Sequence, residues 1–429
     1  MNPIRQFTTC LLALALLASG SIALAQGENV VIPPDGEIII GVSAAFSGEG
    51  LAPFGNNIRN GAVLGHMNRP SATVDGVEFA IALDPQDSQC NAEGGVAVAT
   101  RYTSDPSVVG VVGPMCSSAC TPAAPIYDAA GFTTISPSCT APALTQSGFA
   151  SFNRTVPSDA NQGRFAAEYI YHEMGVRRLA TIHDGSPYGE GLVGVVSTNF
   201  EALGGEVVAA DAVTVGDTNF QALLSEIAEA EPELIYCGCF PAEGARLIQQ
   251  RADVGLEEVP FMGADGIFGP ELIELAGEAS EGVYASTPRP VSSAAADDLT
   301  EQYLETFTEE PAAGFHTNSY DAYTIFVNGI EAVGTLDDEG NLVVNRAALS
   351  DFVRSLQNYP GVTGIINCDG TGECITTPVG FYQVQMGEFV EIGMAGGGMM
   401  ADDMMDDDMD DDDMDDDDMD DDDMDDDEG

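Results

Sequence analysis

The sequence of 429 residues contains no lysine and no tryptophan, and its thirteen basic residues are all arginine. Aspartate and glutamate together number 70, so the formal net charge is −57. A polyanion of this size repels phosphate backbones and anionic lipid surfaces, which excludes nucleic acid as a partner. A lysine-free chain also cannot carry the phosphate-binding loop of nucleoside triphosphatases, because that loop uses a lysine.

Apolar runs long enough to span a bilayer are missing as well. The apolar run over 11–18 is much shorter than the roughly 20 residues that a spanning helix needs. It follows Arg5 and precedes the small-x-small pattern Ala23-Leu24-Ala25, so residues 1–25 are predicted to be a secretory signal peptide. The mature protein is therefore expected to be soluble in the periplasm or another extracytoplasmic space.

The acidic residues are unevenly distributed. Residues 395–429 contain 20 aspartates and Glu428, and this segment is predicted to be a disordered acidic tail because contiguous like charges oppose compaction. Residues 26–394 hold 49 acidic and 12 basic residues, a net charge of −37. Adaptation to a salty medium, where ions screen self-repulsion, and a chance bias toward acid both fit this composition.

Catalytic signatures are also absent. The sequence has no Gly-x-Ser-x-Gly motif and no His-Glu-x-x-His motif, and its four histidines are scattered. Gly189, Gly191 and Gly194 match the dinucleotide fingerprint, but five residues separate them from the preceding strand, so they are predicted to begin a helix instead. We therefore predict no catalytic residue, no metal site and no cofactor.

Eight cysteines remain after the predicted signal peptide. An even number in an exported chain favours disulfides. Zinc binding by Cys237 and Cys239 is the alternative, but their spacing differs from that of a zinc knuckle. Sequence alone allows 105 pairings of eight cysteines, so the connectivity stays open at this point.

From residue 37 onward, short β-branched segments alternate with helical patterns in two successive series. Such alternation requires parallel sheets covered by helices on both faces. We predict an α/β protein with two doubly wound parallel-sheet lobes joined by a hinge. The first lobe is expected to comprise 37–156 plus 286–360, and the second 157–285 plus 361–393. Ligands of such sheets bind beyond the carboxyl ends of the strands, here in a cleft between the lobes.

Hydroxyl residues are concentrated where two predicted strands of the first lobe end. Ser117 and Ser118 follow one strand, and Ser138 and Thr140 follow the next. We expect Ser117 or Ser118 to be the N-cap of the following helix. Hydroxyls and free backbone N–H groups at such positions suit a carboxylate ligand, although capping alone would also explain them.

Several further motifs follow one another along the chain. They are Phe46-Ser47-Gly48, Met115-Cys116-Ser117-Ser118, Ser136-Pro137-Ser138-Cys139-Thr140, Leu144-Thr145-Gln146, Ile182-His183-Asp184 with Tyr188-Gly189-Glu190-Gly191, and Gly263-Ala264-Asp265-Gly266. The leucine/isoleucine/valine-binding proteins have such motifs in the same order, and from about residue 36 to 390 the chain resembles this family. These proteins have the type I periplasmic binding protein fold and serve as solute receptors of ABC importers.

The resemblance implies a set of ligand contacts. Ser117 and Thr140 would hold the α-carboxylate of an amino acid, and the Ser138 carbonyl and the Asp265 carboxylate its α-ammonium group. The residues expected around its side chain are Tyr188, Phe54, Met115 and Phe240. Cys90 and Cys116 fall where the family has a disulfide. Cys120 with Cys139, and Cys368 with Cys374, are our expectations for two further bridges.

The function expected from these features is capture of an amino acid, branched-chain or otherwise aliphatic, and its delivery to a membrane ABC permease by a monomeric protein. Alternatives within the same class are a short amide, urea or a polar amino acid as ligand. A sensory ligand-binding module is another class, and an enzyme using the serine and histidine residues is a third, although no assembled nucleophile is evident.

Overall fold

A computed structural model of the chain describes residues 29–289, 293–374 and 378–395. The predicted signal peptide, 1–25, and all but the first residue of the predicted acidic tail, 395–429, lie outside the described residues. The remainder contains both predicted sheets together with the helices that cover them.

Strands in the described residues are numbered in chain order. They are β1 (Asn29–Ile32), β2 (Ile38–Ala44), β3 (Ser71–Val74), β4 (Val77–Asp87), β5 (Val108–Val112), β6 (Thr133–Ser136), β7 (Phe152–Arg154), β8 (Arg178–His183), β9 (Glu206–Ala212), β10 (Leu234–Gly238), β11 (Phe261–Gly263), β12 (Tyr284–Pro288), β13 (Thr335–Leu336), β14 (Leu342–Asn345), β15 (Tyr359–Gly361), β16 (Gly364–Ile366), β17 (Val379–Gln385) and β18 (Glu388–Ala395).

Helices are numbered in the same way. They are α1 (Ala52–Asn68), α2 (Ala92–Ser104), α3 (Ser117–Ala129), α4 (Ala143–Gln146), α5 (Asp159–Glu168), α6 (Pro187–Ala202), α7 (Gln221–Glu229), α8 (Pro241–Gln250), α9 (Pro270–Ala276), α10 (Ala294–Phe307), α11 (Phe315–Val333) and α12 (Arg346–Arg354). Among the helices in this part of the chain, none has the length and apolar character that a bilayer crossing needs.

The first sheet has six strands in the order β3-β4-β2-β5-β6-β7, all parallel except for the antiparallel pair β3 and β4. Its central strand β5 is buried along its whole length, as its Val-Val-Gly-Val-Val sequence predicts for a strand covered on both faces. Helices α1 and α11 pack together on this sheet, as do α2 and α3. We call these elements the first lobe.

The second sheet has seven strands in the order β18-β17-β12-β11-β10-β8-β9. The five strands from β12 to β9 are parallel, and β17 and β18 add an antiparallel edge. Two apolar cores cover its faces, one with α5 and α6 and the other with α7, α8 and α9. We call these elements the second lobe. Two mainly parallel, helix-covered sheets confirm the predicted fold class.

The exact division of the chain between the lobes stays a prediction. Strands β17 and β18 join the second sheet, whereas Ile366, Cys368 and Cys374 lie in the core of the first lobe. We therefore propose that the last crossing to the second lobe falls between residues 374 and 379, later than residue 361, where the sequence placed it.

Four disulfides are present among the described residues. Three join the expected pairs, and the fourth, Cys237 to Cys239, pairs two cysteines for which the sequence analysis offered no partner. The bridges are Cys90–Cys116, Cys120–Cys139, Cys237–Cys239 and Cys368–Cys374. The first two link the loop before α3, and α3 itself, to neighbouring loops, so they fix the region that carries the hydroxyl residues.

Replacement of two helical glycines by alanine is expected to change stability in opposite directions. A methyl group on Gly55 in α1 would lie 1.7 Å from the Ala45 carbonyl oxygen, whereas one on Gly194 in α6 would meet no atom within 4 Å. We expect Gly55→Ala to lower the free energy of unfolding by about 2 kcal/mol or more through overpacking. Gly194→Ala should raise it by about 0.5–1 kcal/mol, because alanine favours the helix. Urea unfolding measures both, and equal effects would contradict this packing of α1.

Candidate functional site

A cleft between the lobes collects residues that follow the carboxyl ends of several strands. Because parallel strands end at one edge of their sheet, loops distant in sequence meet there. The cleft is narrow and open to solvent, and the space free of protein atoms within it totals about 360 Å³, part of which is bulk solvent. Its walls are Phe54, Met115, Cys116, Ser117, Ser138, Tyr188, Phe240, Asp265, Gly266 and Phe315. Seven of the eight residues that the resemblance implied as ligand contacts therefore line a single cavity.

Thr140 is the eighth, and it is not part of this wall. Its side chain is fully buried, and its hydroxyl has no hydrogen-bond partner among the described residues. Its backbone carbonyl accepts a hydrogen bond of 3.0 Å from the Asp159 amide. A contact between Thr140 and a ligand carboxylate therefore stays a prediction.

The first lobe contributes the start of a helix to the cleft. Helix α3 begins at Ser117, with Cys116 in the N-cap position and no side chain capping it. The expectation that Ser117 or Ser118 is the N-cap is therefore wrong by one or two positions. Because no side chain caps α3, its first amides retain the capacity to bind an anion, beside the Ser117 hydroxyl.

The second lobe contributes a buried carboxylate. Asp265 is 5% exposed, and its Oδ1 accepts hydrogen bonds from Gln162 Nε2 at 2.9 Å and from the Tyr188 hydroxyl at 3.1 Å. The Gly266 amide in turn donates to the Tyr188 oxygen at 2.9 Å, which fixes the tyrosine. Burial raises the pKa of Asp265 to about 6. At neutral pH this carboxyl is thus ionised and little hydrated, a suitable partner for a cation.

Asp159 is a second buried carboxylate that the sequence analysis missed. It is the first residue of α5 and is fully buried, and neither carboxylate oxygen has a hydrogen-bond partner among the described residues. Burial raises the pKa of Asp159 well above its usual range, and the nearby charge of Asp265 raises it further. The Thr140 hydroxyl, which lacks the geometry of a formed hydrogen bond, and the charge of Arg154 oppose this rise only in part.

Arg154 fixes the loop that carries Thr140. Its fully buried guanidinium donates to the carbonyls of Cys139 and Ala141, each at 3.0 Å, and pairs with Glu373. Arg154 and Glu373 are 219 positions apart, so no local sequence pattern connects them. The strand end and its loop are therefore held by a cation that the sequence analysis did not single out.

Aromatic side chains close the cleft from both lobes. The Tyr188 and Phe240 rings lie 5.3 Å apart on the second lobe, and Phe54 lies 6.4 Å from Phe315 on the first. Phe315, the first residue of α11, was missed by the sequence analysis. Within the described ranges, no group of three histidine, cysteine or acidic side chains could hold a metal ion.

Comparison with known proteins gives a consistent result. The family model described as "Periplasmic binding protein" matches residues 37–388. A leucine-, isoleucine-, valine-, threonine- and alanine-binding protein from Pseudomonas aeruginosa is 32% identical over 298 residues, which are 67% of this chain and 77% of that protein. A Leu/Ile/Val-binding protein from Escherichia coli is 31% identical over 310 residues, which are 72% and 82% of the two chains.

Solved structures show the same fold. A leucine-binding protein from Thermotoga maritima superposes with a TM-score of 0.76 at 28% identity, covering 84% of this chain and 99% of that one. A solute-binding protein from R. palustris, solved with benzoate, gives a TM-score of 0.72 at 20% identity, covering 84% and 96%. The second likeness concerns the fold alone, so the residues of the cleft must decide the ligand.

Because the Asp159 carboxylate has no hydrogen-bond partner among the described residues, we expect Asp159→Asn to raise the free energy of unfolding in a pH-dependent way. A carboxyl whose pKa is higher in the folded than in the unfolded state lowers stability as pH rises through that range. The asparagine lacks this ionisation, so the ligand-free variant should match the parent near pH 4 and exceed it by about 1–3 kcal/mol at pH 8. The start of α5 favours a negative charge by a smaller amount.

Urea unfolding between pH 4 and pH 8 measures this difference in the free energy of unfolding. Asp298→Asn, on the exposed face of α10, is the matched control and should show no such trend. A variant that is less stable than the parent at pH 8 would show that Asp159 is stabilised by contacts other than those described.

Proposed function

Because the chain belongs to the periplasmic binding protein family, we propose that it binds an aliphatic amino acid, foremost leucine, isoleucine or valine, between its lobes. We also propose that it delivers this ligand to an ABC permease. Family membership makes the chain a binding protein and not an enzyme. One observation supports the ligand class above others: a helix start and a buried carboxylate line the same apolar cleft from opposite lobes.

The two polar ends of the cleft suit the two charges of an amino acid. The ligand carboxylate would lie at the first amides of α3 and the Ser117 hydroxyl, with Thr140 close behind. The ammonium group would lie between Asp265 and the Ser138 carbonyl. Each charge-assisted hydrogen bond contributes about 1.5–3 kcal/mol, so a few of them support tight binding of a small ligand.

The walls favour an aliphatic side chain over a polar one. Phe54, Met115, Phe240 and Phe315 surround the space left between the two polar ends. A buried amide or hydroxyl on the ligand would lose its hydration there without gaining a partner from these side chains. This disfavours the alternatives of urea, a short amide or a polar amino acid. The P. aeruginosa relative is named for threonine and alanine as well as the branched-chain amino acids, so ligands of both kinds belong in the test.

We further propose that the protein is exported, loses residues 1–25 and acts as a soluble monomer. The support is the signal-peptide pattern of the sequence together with membership in a periplasmic family. A sensory module remains the alternative, and co-purification with a permease rather than with a signalling receptor would distinguish the two.

Calorimetric titration with each of the standard amino acids tests the ligand. We expect one molecule of leucine, isoleucine or valine to bind per chain, and Asp265→Asn to weaken binding roughly 10- to 150-fold by removing the charge opposite the ammonium group. Asp298→Asn, the same substitution at an exposed site, should leave affinity unchanged. Absence of binding by any amino acid to the folded parent protein would refute the proposal.

Binding should also depend on pH, because Asp265 must be ionised to hold an ammonium group. Burial raises the pKa of Asp265 to about 6, so affinity should be constant above pH 7 and fall below pH 6, by up to about tenfold per pH unit. Titrations in buffers of different ionisation enthalpy should show protons released on binding at pH 5.5. Constant affinity from pH 5 to pH 8 would mean that Asp265 does not carry the ammonium contact.

A further inference from the structure

One ion pair joins the two lobes at the mouth of the cleft. Arg246 of α8, in the second lobe, donates to Glu49 in the loop before α1, in the first lobe, with 2.9 Å between Nη2 and Oε2. The other six ion pairs of the described residues each join groups that pack about the same sheet. The Arg246–Glu49 pair is therefore the described salt bridge that opening of the lobes would break.

Each partner stands on a segment that is anchored within its own lobe. The backbone amide and hydroxyl that begin the Glu49 loop, from Phe46 and Ser47, donate to Asp87 at 3.0 and 2.6 Å. On the other side, Arg246 Nη1 donates to the Ala242 carbonyl of its own helix at 2.9 Å. A preorganised pair loses less conformational entropy on contact than two free side chains do.

The backbones also approach closely at this point. A methyl group on Gly50 would lie 3.3 Å from Pro241 Cβ and 3.4 Å from the Ala242 nitrogen, so the loop touches the first turn of α8. That helix starts immediately after Phe240, which lines the ligand cleft. Beside this contact, the mouth opens widely to solvent. The pair therefore connects the lobes through α8, the helix whose first residue follows the cleft residue Phe240.

Closure has an electrostatic cost in this molecule. The second lobe presents Glu271 near Glu49, and the pKa of Glu271 is raised by burial and by the charges of Glu274 and Glu49. Asp184 and Glu243 also line the cavity at the mouth. Bringing two acidic lobes together is unfavourable unless a cation lies between them, and Arg246 supplies that cation.

We propose that Arg246 and Glu49 form a latch that stabilises the closed arrangement of the lobes and thereby raises ligand affinity without touching the ligand. The effect on affinity rests on the proposed function, whereas the effect on closure does not. Only the closed form holds the ligand from both sides. The apparent affinity is therefore proportional to the fraction of the ligand-free protein that is closed, and it falls as more of the protein is open. Both are positioning residues for binding.

A charge exchange tests the latch. Arg246→Gln should weaken leucine binding roughly two- to fivefold, as expected for a partly exposed pair, and R246E about tenfold because two glutamates then face each other. The double variant E49R/R246E should recover affinity to within about twofold of the parent. Arg101→Glu breaks the pair with Asp84 inside the first lobe and is the control that should leave affinity unchanged.

Salt gives a second readout that a mere loss of packing would not reproduce. Between about 0.1 M and 1 M NaCl the Debye length falls from about 10 Å to about 3 Å, so the ratio of the R246Q and parent dissociation constants should approach one. A ratio that is independent of salt, or a double variant as weak as R246E, would overturn the latch.

A ligand-free readout separates this proposal from the ligand assignment. The radius of gyration from small-angle X-ray scattering should increase in ligand-free R246E and return in E49R/R246E, whatever the ligand is. Equal radii in the parent and R246E would refute the latch even if leucine binds. Failure of every amino acid to bind, together with the expected change in radius, would refute only the proposed ligand.

Discussion

The electrostatics of the cleft depend on two buried carboxylates, Asp265 and Asp159. Removing a carboxylate from water is unfavourable unless a hydrogen-bond donor or a cation replaces the water; Asp265 has donors in Gln162 and Tyr188, whereas Asp159 has only the partial compensation of the Arg154 charge. The folded protein therefore retains an unsatisfied demand for positive charge at this point. In the proposed function, an ammonium group entering from the cleft would meet that demand, so part of the binding energy would come from an electrostatic cost already present in the ligand-free protein. This is why the donors around Asp265 must be held firmly, and why the second lobe fixes Tyr188 through the Gly266 amide.

At the other end of the cleft, the first lobe presents backbone amides rather than a charged side chain. A helix start offers amides without an intrahelical partner, which carry only partial charge and therefore need no counter-ion when the ligand is absent. The loops that shape this helix start are fixed by the Cys90–Cys116 and Cys120–Cys139 bridges and by the Arg154 guanidinium, which binds the carbonyls of Cys139 and Ala141. In the proposed complex the first lobe would hold the ligand carboxylate and the second lobe would supply the acid that faces the ammonium group, so neither lobe alone would neutralise both charges. Affinity would then depend on closure, which makes contacts at the mouth of the cleft relevant to binding.

How far the sequence could predict this arrangement depends on the range of the interactions involved. Strands such as β5 follow from short runs rich in β-branched residues, and the helix starts follow from glycine, proline and serine at strand ends, so the fold and the edge that carries the site could be predicted. Most of the cleft residues could be predicted only from the resemblance to a known family. Asp159, Phe315 and the pair of Arg154 with Glu373 could not be predicted, because their roles depend on which distant segments pack against them. The N-cap of α3 was misplaced because Cys116, a poor cap by type, is held at that position by its disulfide.

The absence of lysine has a structural consequence beyond net charge. In the described residues, arginine serves repeatedly to bind backbone carbonyls: Arg354 donates to the carbonyls of Phe149, Ala150 and Gly370, and Arg346 lies over the Phe132 ring while donating to Val108. A guanidinium has five donors in a planar fork, so one residue can satisfy several carbonyls in fixed directions while its plane stacks on an aromatic ring; an ammonium group has three donors and no plane to stack. With twelve arginines set against 49 acids in residues 26–394, these internal uses leave few cations for the surface. Few cations are therefore left for the boundary between the lobes. Arg246 lies at that boundary, where acidic side chains of the two lobes would otherwise repel each other.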